Sequence, residues 1–245
     1  MGGHSRSLGR ISFLSGALGV ALGSHGVGLL VAPAWAQPWC AFVCALALFH
    51  GLEFAWAARF EPASATSEAF LLDHSPAYHA ALAAAALEFW AEALLWPGAK
   101  AWRAPARAGL ALVVGGQALR TAAMWTAGGH FAHRVAEVQR DGHALVQHGV
   151  YARLRHPSYA GWFWWSVGTQ LLLANPLCTL GYAVAAWRFF AARIPHEEAL
   201  LRAQYGEAYA TYARRAWVGI PGLEGKAEGR GAEEGRAQRA DGAVR

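Results

Sequence analysis

The chain has 245 residues, 55% of them hydrophobic and only 15% charged, with a formal net charge of +5 and twelve tryptophans. That balance excludes an ordinary soluble two-domain enzyme, and basic residues that form no stripe exclude a nucleic-acid surface. No Asp, Glu, Lys or Arg occurs from Ile11 to Leu52 or from His156 to Trp187, and uncharged stretches of that length need lipid around them.

In chain order, Ile11 to Ala32 is the first expected span, about 22 residues and so roughly 33 Å as a helix. Arg6 and Arg10 before it and Ala34-Trp35-Ala36 after it also fit a secretory signal with a small-residue cleavage site. Its apolar core is longer than such signals carry, so a retained span is expected. Pro38 to Ala58 is the second span, with His50 and Glu53 on one helical face, where a carboxylate must face protein. Arg59 to His74 is a polar connection. Ala77 to Trp96 is the third span, carrying Glu88 and Glu92 four apart on one face, and Ala108 to Thr126 is the fourth, carrying Arg120.

Gly128 to Pro157 is a polar segment rich in His and Arg. Tyr159 to Phe190 is apolar until Arg188 and is divided at Asn175-Pro176, which predicts a helical hairpin with two legs of about 15 residues. Arg193 to Arg215 reads as an amphipathic helix, with Leu200, Leu201 and Tyr205 on one side, and Gly222 to Arg245 is too poor in apolar groups to fold. The expected fold is therefore all-α and polytopic, with about six transmembrane helices. Both ends would lie on the cytosolic side by the positive-inside rule, with Lys100, Arg103 and Arg107 as the outer exceptions. The expected regions are 1–127, N-terminal transmembrane helices; 128–221, a cofactor-binding catalytic region; and 222–245, a disordered tail. Cys40, Cys44 and Cys178 form neither a disulfide framework nor a zinc spacing, and Asn175 precedes proline, so it is no glycosylation site.

Two clusters could carry chemistry. The first is His143-Ala144-Leu145-Val146, Gly149-Val150-Tyr151 and Arg155-His156-Pro157-Ser158-Tyr159-Ala160-Gly161, set where the polar segment re-enters the membrane. Histidine, tyrosine and arginine crowded before an apolar hairpin suggest a polar ligand at the interface. Arg155 and His156 as headgroup-level anchors account for the same composition. The second cluster runs from Trp187-Arg188-Phe189-Phe190 through Arg193 to Glu197 and Glu198. Arg193 and Glu197, four apart, can hold a carboxylate and a cation or hydroxyl respectively, or simply pair with each other. No Walker loop, strand-borne glycine fingerprint, nucleophile elbow or H-E-x-x-H helix occurs, so any nucleotide-like cofactor binds outside a Rossmann crevice.

At these clusters the sequence resembles the isoprenylcysteine carboxyl methyltransferase family. The likeness runs through Leu48-Phe49-His50 with Glu53, Phe70-Leu71-Leu72-Asp73-His74-Ser75 with Tyr78, Leu87-Glu88-Phe89 with Trp96-Pro97, Arg120, and Phe131 with His133. It continues from His143 to Cys178 and from Trp187 to Tyr212, ending near Ile220-Pro221. The Arg-His-Pro-x-Tyr-x-Gly core alone marks a superfamily that includes sterol reductases; Gly168-Thr169-Gln170 and Asn175-Pro176 narrow it.

The resemblance implies methylation of the prenylcysteine carboxylate of processed CaaX proteins in the endoplasmic reticulum membrane, with the active site facing the cytosol and membrane lipid around it. S-adenosyl-L-methionine contacts fall by this likeness on His143, Ala144, Leu145, Val146, Tyr151, His156, Pro157, Ser158, Tyr159 and Glu197. The substrate-carboxylate arginine falls on Arg193, so Arg193 and Glu197 are the expected catalytic pair; no metal is implied. Where the family often has a glutamine three residues after the histidine matching His133, this chain has Ala136, with Glu137 and Gln139 nearby. Animal members also carry two further N-terminal spans. The alternatives are a related membrane methyltransferase acting on a lipid or small isoprenoid substrate, and a transport protein in which Glu53, Glu88, Glu92 and Arg120 line a polar path; the role expected of these four is inter-helix hydrogen bonding or shaping the cofactor cavity.

Overall fold

A computed structural model describes residues 2–73, 75–131 and 144–223. It consists of α1 (Gly2–Val31), α2 (Gln37–Phe60), α3 (Pro76–Leu95), the single turn α4 (Pro97–Lys100), α5 (Arg103–Ala127), α6 (Pro157–Leu172), α7 (Pro176–Tyr205) and α8 (Glu207–Arg215), with short 3-10 turns between. No strand occurs among the described residues, whose only β-type pairing is an isolated parallel bridge between Leu154 and Trp217. The expected all-helical architecture is thus present.

The helix starts follow from proline, whose missing N–H costs nothing in a first turn: Pro38, Pro76, Pro157 and Pro176 open α2, α3, α6 and α7. Ser75 adds a side-chain cap, its hydroxyl accepting from the Tyr78 amide at 3.2 Å. Two helices stop where glycine enters the left-handed region, at Gly128 and Gly206. The segments Leu8–Val31 and Gln37–Phe60 are each long and apolar enough to cross a membrane. α1 meets the rest of the chain mainly through α2, where a Cβ added at Gly28 would lie 2.7 Å from the Cys40 sulfur.

The tightest packing joins α5 to α6. Gly109 and Gly116 on α5 are seven residues apart, as are Gly161 and Gly168 on α6, and the two pairs face each other. A Cβ on Gly161 would lie 2.7 Å from the Arg120 amide and from the Gly116 carbonyl, and one on Gly109 would lie 2.1 Å from the Leu172 amide. Missing side chains here let two backbones touch, which is how helices associate where lipid offers no hydrophobic drive. Gly161→Ala therefore must push the helices apart, and the expected loss is at least the about 1–3 kcal/mol typical of overpacking. Thermal unfolding in detergent micelles reads this directly; an unchanged midpoint refutes the contact. Around this pair pack Phe42, Phe49, Phe89, Trp165, Leu172 and Leu173 toward one end, and Trp56, Met124 and Phe131 toward the other.

Three features depart from the sequence reading. α5 begins at Arg103, ahead of the expected Ala108. The second leg of the hairpin does not end at Phe190, because α7 is a single helix of 30 residues, roughly 45 Å, with Pro195 inside it. Pro195 is exposed, about half a turn round the helix from Arg193, so the hydrogen bond that its missing N–H forgoes lies on a face open to the surroundings. The expected amphipathic helix from Arg193 to Arg215 is instead the end of α7 plus α8, divided at Gly206.

Polar contacts between distant helices close the end of the molecule formed by the α6–α7 turn. Lys100, 1% exposed, donates to the Leu173 and Ala174 carbonyls at 3.0 and 2.9 Å and to Asn175 Oδ1 at 2.7 Å, and pairs with Glu92 at 2.6 Å. Glu88 accepts from the Leu177 and Cys178 amides, both at 2.7 Å, capping the start of α7. Lys100 is therefore a buried tie and not an exposed loop charge. Glu88 and Glu92, on their shared face, hold the same turn, the first directly and the second through Lys100, which is the inter-helix bonding expected of them.

Candidate functional site

The site forms at the opposite end, where the chain turns into α6. A residue before proline is disfavoured in helical backbone, and His156 stands in this position outside α6 with φ −126° and ψ 55°. The strand-like strap before it is fixed by the C-terminal segment: the Arg155 amide donates to the Trp217 carbonyl at 2.8 Å, and the Trp217 amide to the Arg153 carbonyl at 2.9 Å. Tyr212 adds a lock, its hydroxyl donating to the Tyr151 and Leu154 carbonyls at 2.8 and 3.2 Å. Burial pushes the Tyr212 phenol up to about 12, so it remains a donor at any physiological pH.

Glu198, on the part of α7 beyond the apolar leg, is 2% exposed and gathers three donors. Its Oε1 accepts from Arg155 Nε at 2.5 Å and from His156 Nε2 at 3.1 Å, and its Oε2 from Arg202 at 3.2 Å. Arg155 also donates to the Ala216 carbonyl at 2.5 Å. Burial by itself would raise the Glu198 carboxyl, but hydrogen bonds from His156 and Arg155 outweigh it and hold the group at about 2, against an ordinary 4.5. Because the folded value is depressed, the stabilisation is fully present above about pH 4.5 and is lost as pH falls toward 2. The expected result is that wild-type protein loses on the order of 3 kcal/mol across this window through Glu198, while Glu198→Gln shows a correspondingly flatter acid limb. Unfolding midpoints in micelles from pH 5 to pH 2 measure the difference, and parallel limbs would refute it.

One turn away, Tyr159 bridges the two residues expected to carry chemistry. Its hydroxyl accepts from Arg193 Nε at 2.8 Å and donates to Glu197 Oε2 at 2.6 Å. The Arg193 guanidinium also lies over the Tyr159 and Phe189 rings, 5.4 and 5.8 Å from their centroids, so two aromatic faces fix its plane. The Tyr159 ring stacks on His156 with centroids 5.5 Å apart and on Phe190 at 4.9 Å. Arg193, Tyr159, Glu197, His156 and Glu198 thus form one contiguous cluster across the facing ends of α6 and α7.

The remaining candidates border this cluster in different ways. Ser158, 4% exposed, accepts from Arg120 Nη1 at 2.9 Å, and Arg120 in turn donates through Nε to Glu53 at 2.5 Å, tying α6 to α5 and α2. Pro157 is buried in the first turn of α6. Tyr151 and Val146 pack on the Trp56, Met124 and Phe131 cluster, and Leu145 on Tyr209 and Tyr212. Ala144 is exposed, in a stretch that is neither helix nor strand. His143, His133, Ala136, Glu137 and Gln139 lie outside the described residues.

Sequence reasoning named no role for Glu198 and left Arg155 and His156 equally readable as headgroup anchors. The anchor reading fails, since both side chains are buried against Glu198. A glutamate directly after Glu197 in a charged helix gives no signal by itself. The only hint was that an arginine and a histidine adjacent in sequence needed a common counter-charge.

What the cluster offers is a guanidinium with its plane set, a carboxylate one turn away, a histidine ring, and, at residues 144–147, backbone outside any helix or strand. Among the described residues, no group of three or more His, Cys, Asp or Glu side chains could hold a metal ion. Residues 109–203 match the model of the isoprenylcysteine carboxyl methyltransferase family. The human protein-S-isoprenylcysteine O-methyltransferase is 45% identical over 75% of this chain and 65% of its own length, so this chain spans about two thirds of that relative. The Tribolium castaneum protein of the same name is 41% identical over 80% of the chain and 70% of its own length, and a probable one from Oryza sativa subsp. indica is 41% identical over 77% and 98%. A solved structure of a eukaryotic intramembrane Ras methyltransferase, isoprenylcysteine carboxyl methyltransferase, is 39% identical and superposes with a TM-score of 0.85 over 88% of this chain and 77% of that one. With sequence and architecture agreeing across the helices that build the cluster, the chain belongs to the isoprenylcysteine carboxyl methyltransferase family.

Proposed function

We propose that the chain is an integral membrane enzyme that transfers a methyl group from S-adenosyl-L-methionine to the C-terminal prenylcysteine carboxylate of processed CaaX proteins, giving a methyl ester. The observation that carries this reading is the Arg193–Tyr159–Glu197 arrangement, a carboxylate-binding fork held at fixed distance from an anionic group suited to a cationic, hydroxyl-bearing cofactor. The family relatives supply the reaction class.

S-adenosyl-L-methionine, when bound, supplies a methyl on a sulfonium; the new carboxylate O–CH₃ bond forms as the S–CH₃ bond breaks, leaving a thioether. A carboxylate is already ionised at neutral pH, so this chain needs no general base. Its residues orient and desolvate instead. Arg193 takes the substrate carboxylate through its fork, and its aromatic neighbours stop the guanidinium from rotating. Clamping too tightly would blunt the nucleophile, so the role of Arg193 is mainly alignment. The Glu197 carboxylate fits the amino or ribose groups of the cofactor, and His143, Ala144, Leu145, Val146, Tyr151, His156, Pro157, Ser158 and Tyr159 complete the proposed cofactor wall.

The isoprenoid accounts for the setting, since each buried carbon unit contributes about 0.8 kcal/mol to partitioning into lipid. In this reading residues 1–127 anchor, 128–221 carry catalysis and 222–245 form a tail. About six spans leave the site at the cytosolic face of the endoplasmic reticulum membrane. The test is transfer of labelled methyl from S-adenosyl-L-methionine to N-acetyl-farnesylcysteine by membranes containing the chain. Base-labile ester is the expected product, and absence of both ester and cofactor binding in folded protein overturns the reading.

A further inference from the structure

The proposed mechanism leaves unused the most heavily hydrogen-bonded carboxylate near the site. Glu198 is 2% exposed and neighbours Glu197 in sequence, but α7 turns the two in different directions. Glu197 meets the Tyr159 hydroxyl, while Glu198 meets Arg155 and His156 from the strap before α6. A buried carboxylate that already accepts three hydrogen bonds, with an arginine on each oxygen, has its charge compensated within the protein, so it serves as a holder of neighbours and not as the ligand's own partner.

Its effect must pass through what it holds. An ionised carboxylate accepts only, so the His156 Nε2 that faces it carries a proton, and the Nε2–H tautomer is the neutral form of the ring that this contact admits. The ring is then pinned from the side by Tyr159, parallel at 5.5 Å, and Tyr159 is the residue that spans Arg193 and Glu197. Fixing His156 therefore fixes one wall of the proposed cofactor site and steadies the bridge to the substrate clamp.

We propose that Glu198 is a positioning residue that sets the tautomer and orientation of His156 for cofactor binding, an inference that rests on the proposed methyl-transfer reading. Its principal partner for this purpose is His156, and Arg155 serves to hold the strap on which His156 sits.

Two variants of similar volume separate this role from a general loss of fold. Glu198→Gln keeps an acceptor oxygen but loses the charge, and Glu198→Met removes both acceptors. By calorimetry with S-adenosyl-L-methionine in micelles, the expected loss of cofactor affinity is about tenfold for Gln and larger for Met, with the KM for N-acetyl-farnesylcysteine changed far less. In a His156→Ala background the same two substitutions are expected to add less than about twofold, because the residue through which they act is gone. Equal losses in both backgrounds, no loss in either, or no effect of His156→Ala itself would each overturn the proposal. Nitrogen-15 histidine spectra of cofactor-free protein give a readout independent of activity. The His156 signal, identified by its absence in His156→Ala, is expected in the Nε2–H form in wild type and shifted away from it in Glu198→Met; an Nδ1–H wild-type ring refutes the assignment. If folded wild type binds no cofactor but shows this tautomer and shift, the methyl-transfer reading has failed while the Glu198–His156 link stands.

Discussion

On the proposed reading, Arg193→Ala is expected to lose methyl-ester formation by about 10²- to 10³-fold in kcat/KM, the equivalent of about 3–4 kcal/mol for removing the charged partner of a desolvated carboxylate. Cofactor affinity stays close to wild type, because the groups proposed to face the cofactor are Glu197, His156 and the 144–146 backbone. Arg193→Lys recovers only part of the loss: an ammonium keeps the charge, but it has no fork and cannot donate in one plane to both the Tyr159 hydroxyl and a bidentate carboxylate. Steady-state assays with N-acetyl-farnesylcysteine, paired with calorimetry for the cofactor, separate the two effects. Turnover by Arg193→Ala near the wild-type rate would remove the clamp from the mechanism.

The second large effect is on folding. Glu53, 1% exposed, and Arg120, 7% exposed, form the ion pair that joins α2 to α5, and Arg120 also reaches Ser158 and lies over the Phe49 ring. Glu53→Ala leaves a guanidinium buried with its main counter-charge removed, at an expected cost of about 3–5 kcal/mol. The double variant Glu53→Met with Arg120→Met leaves no buried charge and regains most of that stability. Thermal midpoints of the two variants in micelles decide the matter; a double variant less stable than Glu53→Ala would contradict the argument. Activity need not return with stability, since Ser158 sits in the first turn of α6 beside His156.

The all-helical architecture was legible because charge-free runs bounded by Pro, Gly and polar clusters mark long helices directly. The observed starts at Pro76, Pro157 and Pro176 lie within a few residues of the reading. The continuity of α7 was not legible. Arg193, Pro195 and Glu197 together look like a boundary, and sequence does not tell that Pro195 would fall on an exposed face where a lost hydrogen bond is tolerated. The partners of Lys100 and Glu88 were not legible for a related reason: they are the backbone groups of a turn more than 70 residues away, and no periodicity encodes a partner. Of the site, the His156 to Tyr159 segment and the Arg193/Glu197 pair were legible by family likeness. Tyr159 as the bridge between them, and Glu198 beneath, required the helices to be set side by side.

The unbroken course of α7 makes the molecule a depth gauge. Its first turn is fastened by Glu88 and, through Asn175, by Lys100, while Arg193 stands 17 residues after Pro176, roughly 26 Å up the same rod. A hydrocarbon layer is about 30 Å thick, so anchoring the rod at one leaflet fixes the height of the arginine at the other. On the proposed reading, a prenyl tail lying alongside α7 brings its cysteine to the level where lipid gives way to water. On that same reading, the height of Arg193 is set by a lysine at the other end of the rod, and a bilayer a few ångströms thicker or thinner would shift the registry of the site with a lipid-borne substrate without altering the contacts of the cluster.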